Sequence, residues 1–449
     1  MKMKDLTTGN PFQVIMRFMV PMLFSMIFQQ VYSVVDSVVA GKYIGVDALG
    51  AVGASQPITA VFIAFAVGTG MGMNVVISNF FGAKKYKRMK STISTSVIAV
   101  LAMSVILTVA GTFGCDGMLR LLSTPENIFS DASLYLKIYV WGVVFLMLYN
   151  AATSIFTAMG DSVTPLLFLI FSSVLNIILD VMFVTSLNMG VAGVAWATFI
   201  AQGIASVLAV VTVFFKVQKI KTGKYRKFNW LLLGRVMAIA LPSIMQQSFV
   251  SVGQLFVQGR INSFGSVVVA GYSAAFKIQL FILAALTTVC NAISSFIAQN
   301  LGAGKTDRVK DGVSIGLKII LVMAVVFFAV GFLMARPLMG LFMDGTTKAS
   351  LDGIKVGVGF LHIVTPFYLV ISIKFIYDGA LRGMAVMKAF MISTFTDLIV
   401  RVVLSFLFSV PFGYIGIWWA WPVGWTLGTI LSIYYGRKEL KGIERKKRR

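Results

Sequence analysis

The stretch FGAKK at residues 81–85 is repeated as LGAGK at residues 301–305, and a basic pair follows each copy, Arg88 with Lys90 and Arg308 with Lys310. Further along, GVAGVAWA at residues 190–197 matches GYIGIWWA at residues 413–420. The landmarks keep their order and nearly the same spacing, which indicates an internal duplication. Parallel repeats in a membrane protein predict two copies of one helical bundle, related by an axis along the membrane normal.

The apolar composition predicts that both copies lie in a lipid bilayer. Of the 449 residues, 58% are hydrophobic and only 12% are charged, with a mean hydropathy of +0.89. A soluble body of this length could not hide so much apolar surface. Twelve segments are long enough to span a membrane: 13–41, 51–79, 93–115, 133–158, 164–185, 191–216, 232–262, 268–299, 313–335, 354–380, 388–409 and 413–436. The predicted fold is an all-α polytopic membrane protein with twelve transmembrane helices in two pseudo-symmetric six-helix bundles.

Positive charge is concentrated on one side of the predicted membrane. The formal net charge of +23 would suggest nucleic-acid binding in a soluble protein. With a cytoplasmic N-terminus, however, only Lys42, Arg120, Arg336 and Lys348 fall in the outer loops. This asymmetry follows the positive-inside rule. It predicts a multi-pass protein of the plasma (cytoplasmic) membrane, with both termini cytoplasmic, that contacts the lipid bilayer and no nucleic acid.

One long polar break divides the chain. We interpret residues 217–231 as a basic cytoplasmic linker between an N-lobe at 1–216, with helices 1–6, and a C-lobe at 232–436, with helices 7–12. The basic tail at 437–449 is predicted to anchor the topology on anionic lipid.

The sequence contains no signal for enzyme chemistry. Cys115 and Cys290 are far apart, and His362 is the only histidine. Neither a disulfide framework nor a metal site is therefore predicted. A glycine-rich phosphate loop with a lysine and a nucleophile motif are both absent from the sequence. We predict neither an enzyme nor a resident cofactor.

Two acidic residues, Asp36 and Asp180, stand deep in apolar spans. An ionised carboxylate at the bilayer centre costs roughly 2.5–3.5 kcal/mol on insertion scales, so such groups normally face a cavity or a partner. Other polar residues share their helical faces: Gln29 and Ser33 with Asp36, Asn176 with Asp180, and Thr198 with Gln202. Converging carboxylates, an amide and a hydroxyl would form a cation or proton site. Structural hydrogen bonding between helices is the alternative.

The second copy tests this interpretation. If these polar groups only held helices together, some of them should also be present at the matched positions of the second copy. At the matched positions it carries Val257, Ile399, Val403 and Trp421 in place of Asp36, Asn176, Asp180 and Thr198. Its own polar residues form pairs four apart, Lys374 with Asp378 and Asp397 with Arg401, and Lys277 stands on helix 8. Each pair is expected to neutralise itself along its helix. Lining the substrate cleft is the alternative role for Lys277, Lys374 and Arg401, and Gln29, Ser33 and Gln202 of the first copy are predicted to line it as well.

Several pieces of the chain, in this order and spacing, resemble the multidrug and toxic compound extrusion (MATE) transporters. They are LTTGNP at 6–11, QQ at 29–30 before Asp36, AVGA at 51–54, FGA at 81–83, MGDSVTP at 159–165, the segment from Asn176 to Asp180, and LRG at 381–383. The resemblance implies two six-helix lobes around a central cleft. It also implies export of small, often cationic organic compounds in exchange for H⁺ or Na⁺. Asp36, Asn176, Asp180 and Thr198 match the family's N-lobe coupling site.

One departure concerns a C-lobe cation site that some bacterial members of that family have. The positions that would hold its acids and tyrosine carry Val250, Phe367 and Ile371. The sequence therefore places coupling in the N-lobe, with H⁺ or Na⁺ at Asp36 and Asp180, and predicts alternating access by a monomer. A flippase for lipid-linked precursors and a non-transporting membrane scaffold or receptor are the rival functions.

Overall fold

The computed structural model describes residues 5–39, 46–122 and 124–448, and their side chains except those of residues 33–39, 46, 47, 49 and 446–448. The α-helices in these ranges are α1 (Pro11–Val39), α2 (Val46–Gly82), α3 (Tyr86–Leu121), α4 (Glu126–Trp141), α5 (Val143–Ala158), α6 (Val163–Val181), α7 (Gly190–Gln218), α8 (Trp230–Asn262), α9 (Ser266–Gly302), α10 (Thr306–Leu333), α11 (Ala335–Gly340), α12 (Lys348–Val364), α13 (Tyr368–Gly383) and α14 (Met387–Arg448). A π-helix at Met182–Ser186 follows α6, and a 3₁₀ turn at Thr365–Phe367 joins α12 to α13.

The predicted twelve membrane spans are confirmed. Within the described ranges, ten helical segments are long and apolar enough to cross a membrane, and the pair α4–α5, bent by 46°, makes an eleventh. The last of the ten segments contains two spans, because α14 is broken at Gly413, whose φ is +61°. Only glycine adopts this backbone conformation without strain. No strand occurs among the described residues.

The repeated stretch that opens the sequence forms the same turn in both copies. After α2, the Lys85 N–H donates to the Phe80 carbonyl at 3.0 Å, and after α9 the Lys305 N–H donates to the Asn300 carbonyl at 2.9 Å. Lys84 and Gly304 hold the positive φ that such a helix end requires. The sequence repeat is therefore a structural repeat.

The chain divides into two compact units. Unit 1 contains residues up to Leu6 together with Met16–Ser248, and unit 2 contains Thr7–Ile15 and Phe249–Arg449. Unit 1 thus includes the first half of α8, which the sequence analysis assigned to the second lobe. The lobe limits 1–216, 217–231, 232–436 and 437–449 remain a prediction.

Close packing of glycines explains why the first half of α8 belongs to unit 1. A Cβ atom at Gly68 would lie 2.6 Å from the backbone nitrogen of Ile244, and one at Gly72 would lie 2.7 Å from the Val236 carbonyl oxygen. Helix α2 therefore approaches α8 through its backbone, which small residues permit in membrane helices.

In unit 2 two basic residues, one at the end of the repeated turn and one shortly after it, hold the segment that precedes α1. Lys305 Nζ donates to the Thr7 carbonyl and Arg308 Nη1 donates to the Gly9 carbonyl, each at 2.7 Å. Unit 1 holds the segment before α8 on α3 in a similar way, because Ser91 Oγ donates to the Arg226 carbonyl at 2.7 Å.

Candidate cation-coupling site

Asp180 lies near the end of α6 and is 0% exposed. The buried side chains of this helix include Ser173, Asn176 and Asp180, at steps of three and four residues. Leu167 and Val174 on another side of the helix are exposed. A membrane helix with this pattern turns its polar stripe inward and its apolar side to lipid, because a charged group in hydrocarbon is costly.

Asn176 connects Asp180 to two other helices of unit 1. One atom of its amide lies 3.3 Å from the Thr198 hydroxyl of α7. With the amide turned so that each atom faces a complementary partner, its oxygen accepts the Thr198 N–H at 3.0 Å. Its nitrogen then donates to Asp180 Oδ2 at 2.8 Å and to the Tyr32 hydroxyl of α1 at 3.2 Å. The structure thus brings Asn176, Asp180 and Thr198 together, and their role as a coupling site stays a prediction.

Tyr32 was not predicted as a member of this site. It stands four residues before Asp36 on α1, so it lies on the same helical face as the acid. That spacing was the signal that could have found it. The side chains of Asp36 and Ser33 lie outside the described residues, although their backbones belong to α1. Gln29 is exposed on α1, and Gln202 is half-buried on α7, four residues after Thr198.

A π-helix begins at Met182, two residues after Asp180. Its Val184 is buried in a cluster with Val191 and Val194 of α7 and Ile138 of α4. Short π-helical segments within α-helices frequently occur at functional sites. Here the segment fixes the end of the helix that carries Asp180 against two neighbouring helices.

The π-helix also changes which residues of the two copies correspond. The turn before α6 has its left-handed residue at Gly160, and the turn before α14 has it at Ala385. At the other end, the left-handed residues are Gly190 and Gly413. The first copy is therefore two residues longer between these turns, and it is the copy that contains the π-helix.

Counted from the turns that precede α6 and α14, Asn176 corresponds to Arg401 and Asp180 to Ser405. Ser405 is buried like Asp180, whereas Ile399 and Val403 are 58% and 48% exposed. The pairing of Asn176 with Ile399 and of Asp180 with Val403, taken from a constant spacing, is therefore wrong.

Contacts in unit 2 agree with this new correspondence. Arg401 lies over the ring of Trp421 at 4.2 Å, and Trp421 matches Thr198, the contact of Asn176 in unit 1. A cation packed on an aromatic ring thus replaces an amide bonded to a hydroxyl. Since the guanidinium keeps its positive charge at all ordinary pH values, this position of the second copy disfavours a bound cation.

The pair Asp397–Arg401 predicted from the sequence is also wrong. Asp397 Oδ2 instead lies 3.7 Å from Lys374 Nζ, and the same Nζ lies 2.7 Å from Asp378 Oδ2. The Lys374–Asp378 pair is therefore confirmed. Asp378 Oδ1 also accepts hydrogen bonds from Ser432 and Ser393, at 2.6 and 3.2 Å.

The remaining predicted positions of the second copy differ in their exposure. Lys277 is exposed on α9. Val250 is exposed, Phe367 is half-buried and Ile371 is buried. None of these three offers a carboxylate or a hydroxyl.

Asp161, in the turn between α5 and α6, anchors the first turn of α6. It accepts the Thr164 N–H at 3.0 Å and the Thr164 hydroxyl at 2.6 Å. It also forms an ion pair with Lys216 in the last turn of α7. Burial opposes ionisation of Asp161, but the hydrogen bonds from Lys216 and Thr164 outweigh it and hold the pKa of this carboxyl below its ordinary value of 3.8.

We expect Asp161→Asn to lower the free energy of unfolding by about 3 kcal/mol, because Lys216 would lose its carboxylate in a largely buried place. A depressed pKa means that this stabilisation is present above the ordinary aspartate pKa and is lost as the pH falls through the lowered value. Thermal unfolding of the purified protein at neutral and at acidic pH measures both effects. Asp352→Asn, which breaks the exposed pair with Lys355, is the control with an expected loss of about 0–1 kcal/mol. Equal losses in the two variants would contradict the prediction.

Comparison with known proteins agrees with this fold and this duplication. The MatE family model matches residues 21–182 and 242–434, so each half of the chain is matched separately. The chain therefore belongs to the MatE family. Members of this family are transporters, and the chain is a multi-span membrane transporter of small molecules rather than an enzyme.

Similar proteins span nearly the full length of the chain. Probable multidrug resistance protein YpnP of Bacillus subtilis is 28% identical, over 93% of this chain and 93% of that protein. Multidrug export protein MepA of Staphylococcus saprophyticus is 23% identical, over 96% and 95%. A MOP superfamily transporter from Pyrococcus furiosus has the same fold, with a TM-score of 0.92 at 22% identity and 99% coverage of both chains.

Proposed function

We propose that the chain is a secondary active multidrug efflux transporter that exports amphipathic, often cationic compounds by antiport with H⁺ or Na⁺. The observation that carries this proposal is the fully buried Asp180, bonded to Asn176 in a membrane-spanning bundle. Burying a carboxylate at membrane depth costs free energy, so such a group normally has a functional role. The names of the similar Bacillus and Staphylococcus proteins, multidrug resistance and multidrug export, support the substrate class.

Asp36 and Asp180 are the proposed cation-binding carboxylates, with Asn176 and Thr198 as their supporting groups. Alternating access then follows from a change of charge. The inward-open state takes up the substrate, and binding of the coupling cation to the carboxylates favours the outward-open state that releases it. A ligand shifts such an equilibrium only by its different affinity for the two states, and a buried acid supplies that difference.

Between the two coupling ions, we favour H⁺. Asn176 turns its amide nitrogen, not its oxygen, toward Asp180 when its hydrogen bonds are satisfied. Na⁺, a hard cation, prefers several oxygen ligands, which this nitrogen cannot provide. A proton needs only the carboxylate oxygen.

We place the transporter in the plasma membrane, as a monomer, with both termini and the linker at 217–231 in the cytoplasm. The concentration of Lys and Arg on the side that carries the linker supports this orientation.

The rival functions have less support. A flippase for lipid-linked precursors would use cationic residues to hold its phosphates, but Lys374 is paired with Asp378 and Asp397, and Arg401 packs on Trp421. In a scaffold or receptor, no function would offset the free-energy cost of burying Asp180.

Purified protein in vesicles, under pH and Na⁺ gradients imposed separately, tests the function and the ion together. We expect a pH gradient with the more acidic solution outside the vesicles to drive efflux of a lipophilic cationic dye. A Na⁺ gradient at constant pH should leave dye efflux at background. Dye movement driven by Na⁺ alone would contradict the choice of H⁺. Dye movement under neither gradient would contradict the antiport.

A further inference from the structure

A cavity of about 550 Å³ lies at the end of unit 1 where α3 and α8 begin. Its lining includes five cationic side chains and no acidic one; the cations are Lys87, Arg88, Lys224, Arg226 and Arg235. They come from three places, the first turn of α3, the segment before α8 and the first turns of α8. Such an arrangement concentrates positive potential in one concave place.

Hydrogen bonds fix the segment before α8 on α3, so that this segment forms an ordered wall of the cavity. Ser91 Oγ donates to the Arg226 carbonyl at 2.7 Å, and the Asn229 N–H donates to Thr95 Oγ1 at 3.1 Å. Asn229 Oδ1 in turn accepts the N–H groups of Leu231 and Leu232, at 3.0 and 3.2 Å.

A sixth cation lies beside this wall. Lys90 is only 7% exposed, and its Nζ lies 5.9 Å from the ring centre of Tyr225, which lines the cavity. No described carboxylate lies within 4 Å of this ammonium group. A largely buried cation without a counter-ion raises the affinity of its surroundings for an anion.

The second copy shows what a neutralised version of this helix start looks like. Lys310, the match of Lys90, forms an ion pair with Glu444, and Asp307 stands at the position of Lys87. The first copy has neither acid. Helix α3 also begins without a side-chain cap, so its N–H groups and its dipole add to the positive potential.

We propose that this cavity binds the phosphate headgroup of an anionic phospholipid. Phosphate suits several Arg and Lys side chains at once. A lipid, rather than a soluble phosphate, is favoured because Leu231 and Leu232 line the same cavity and Trp230, at the start of membrane-spanning α8, is 77% exposed. Tryptophan is enriched at the level of lipid headgroups, and basic clusters next to a membrane helix attract anionic lipid.

Native mass spectrometry of the purified full chain can measure the binding of phosphatidylglycerol and of phosphatidylcholine as separate probes. We expect phosphatidylglycerol to bind more tightly, and the variant Arg88→Gln, Arg226→Gln, Arg235→Gln to weaken it by at least about ten-fold. The matched control, Arg437→Gln, Lys438→Gln, Lys441→Gln, removes three exposed cations from the end of α14 and should weaken it less than about two-fold. The single variant Lys87→Asp introduces the residue that the second copy has at this position, Asp307, and should also weaken phosphatidylglycerol binding. It serves as the test if the triple variant does not fold.

Three results would overturn this proposal. Unchanged phosphatidylglycerol affinity in both cavity variants would show that the cavity is not the site. An equal loss in the α14 control would show diffuse attraction to basic surface. Competition by millimolar inorganic phosphate, with phosphatidylglycerol binding no more tightly than phosphatidylcholine, would identify the ligand as a soluble phosphate.

Discussion

Replacing Asp180 by asparagine is expected to lower pH-gradient-driven efflux of a lipophilic cationic dye roughly 100-fold, near the upper limit of typical coupling energies. Asparagine keeps the volume of the side chain and can hold a hydrogen bond with Asn176, but it cannot exchange a proton. Expression and thermal unfolding should stay close to those of the wild type. Asp36→Asn should have the same effect, because both carboxylates belong to the proposed site. The measurement is dye efflux from vesicles at a fixed pH gradient.

The structure supplies a better control than constant spacing along the sequence does. Ser405, the counterpart of Asp180 counted from the turns that precede α6 and α14, is buried at the matching place of unit 2. Ser405→Ala should leave the coupling unchanged, as should Val257→Ala and Val403→Ala. Wild-type efflux in a well-folded Asp180→Asn variant would contradict the coupling site. Loss of ion dependence in Ser405→Ala would show that the coupling site lies in unit 2 and not in unit 1.

The fold could be predicted from the sequence because its signals are local and repeated. Apolar runs of span length, separated by short turns, identified all twelve spans, and the FGAKK and LGAGK turns identified the duplication. The passage of α8 through both units could not be predicted. It depends on the backbone contact of Gly68 with Ile244, and two residues so far apart in sequence carry no periodic signal.

The candidate site was predictable where helical spacing brings its members together. Asn176 and Asp180 are four residues apart, and a buried acid is costly enough to draw attention. Tyr32 was missed because a tyrosine in an apolar span is unremarkable by itself. Its contact with Asn176 depends on how α1 and α6 pack.

The correspondence between the copies failed at one element, the π-helix at Met182–Ser186. Insertions of this kind leave the hydrophobic pattern of a membrane helix almost unchanged, so constant spacing paired the buried Asp180 with the exposed Val403. The pair Asp397–Arg401 failed for a different reason. Spacing of four residues permits an ion pair, but Asp397 lies beside Lys374 of α13, and Arg401 packs on Trp421 in the part of α14 that follows Gly413.

These contacts set the second large prediction, that the double variant Asp36→Asn, Asp180→Asn loses stoichiometric ion binding altogether. In unit 2, Asp378 and Asp397 already face Lys374 at 2.7 and 3.7 Å, and Arg401 occupies the counterpart of Asn176. A second cation there would meet two fixed positive charges. Proton uptake by purified protein after a pH jump should fall to background in the double variant, and Na⁺ binding by calorimetry should be at background in the wild type and the variant alike.

Substrate binding should survive in the same double variant, because a lipophilic cation can still bind to apolar and aromatic surface without the acids. Fluorescence of the bound dye checks this and shows that the variant is folded. Asp378→Asn and Asp397→Asn, made separately in the wild type, should leave ion binding intact while lowering stability, since each leaves Lys374 with one carboxylate fewer. Ion binding that persists in the double variant and disappears only when Asp378 or Asp397 is also neutralised would move the coupling site to the Lys374 network of unit 2.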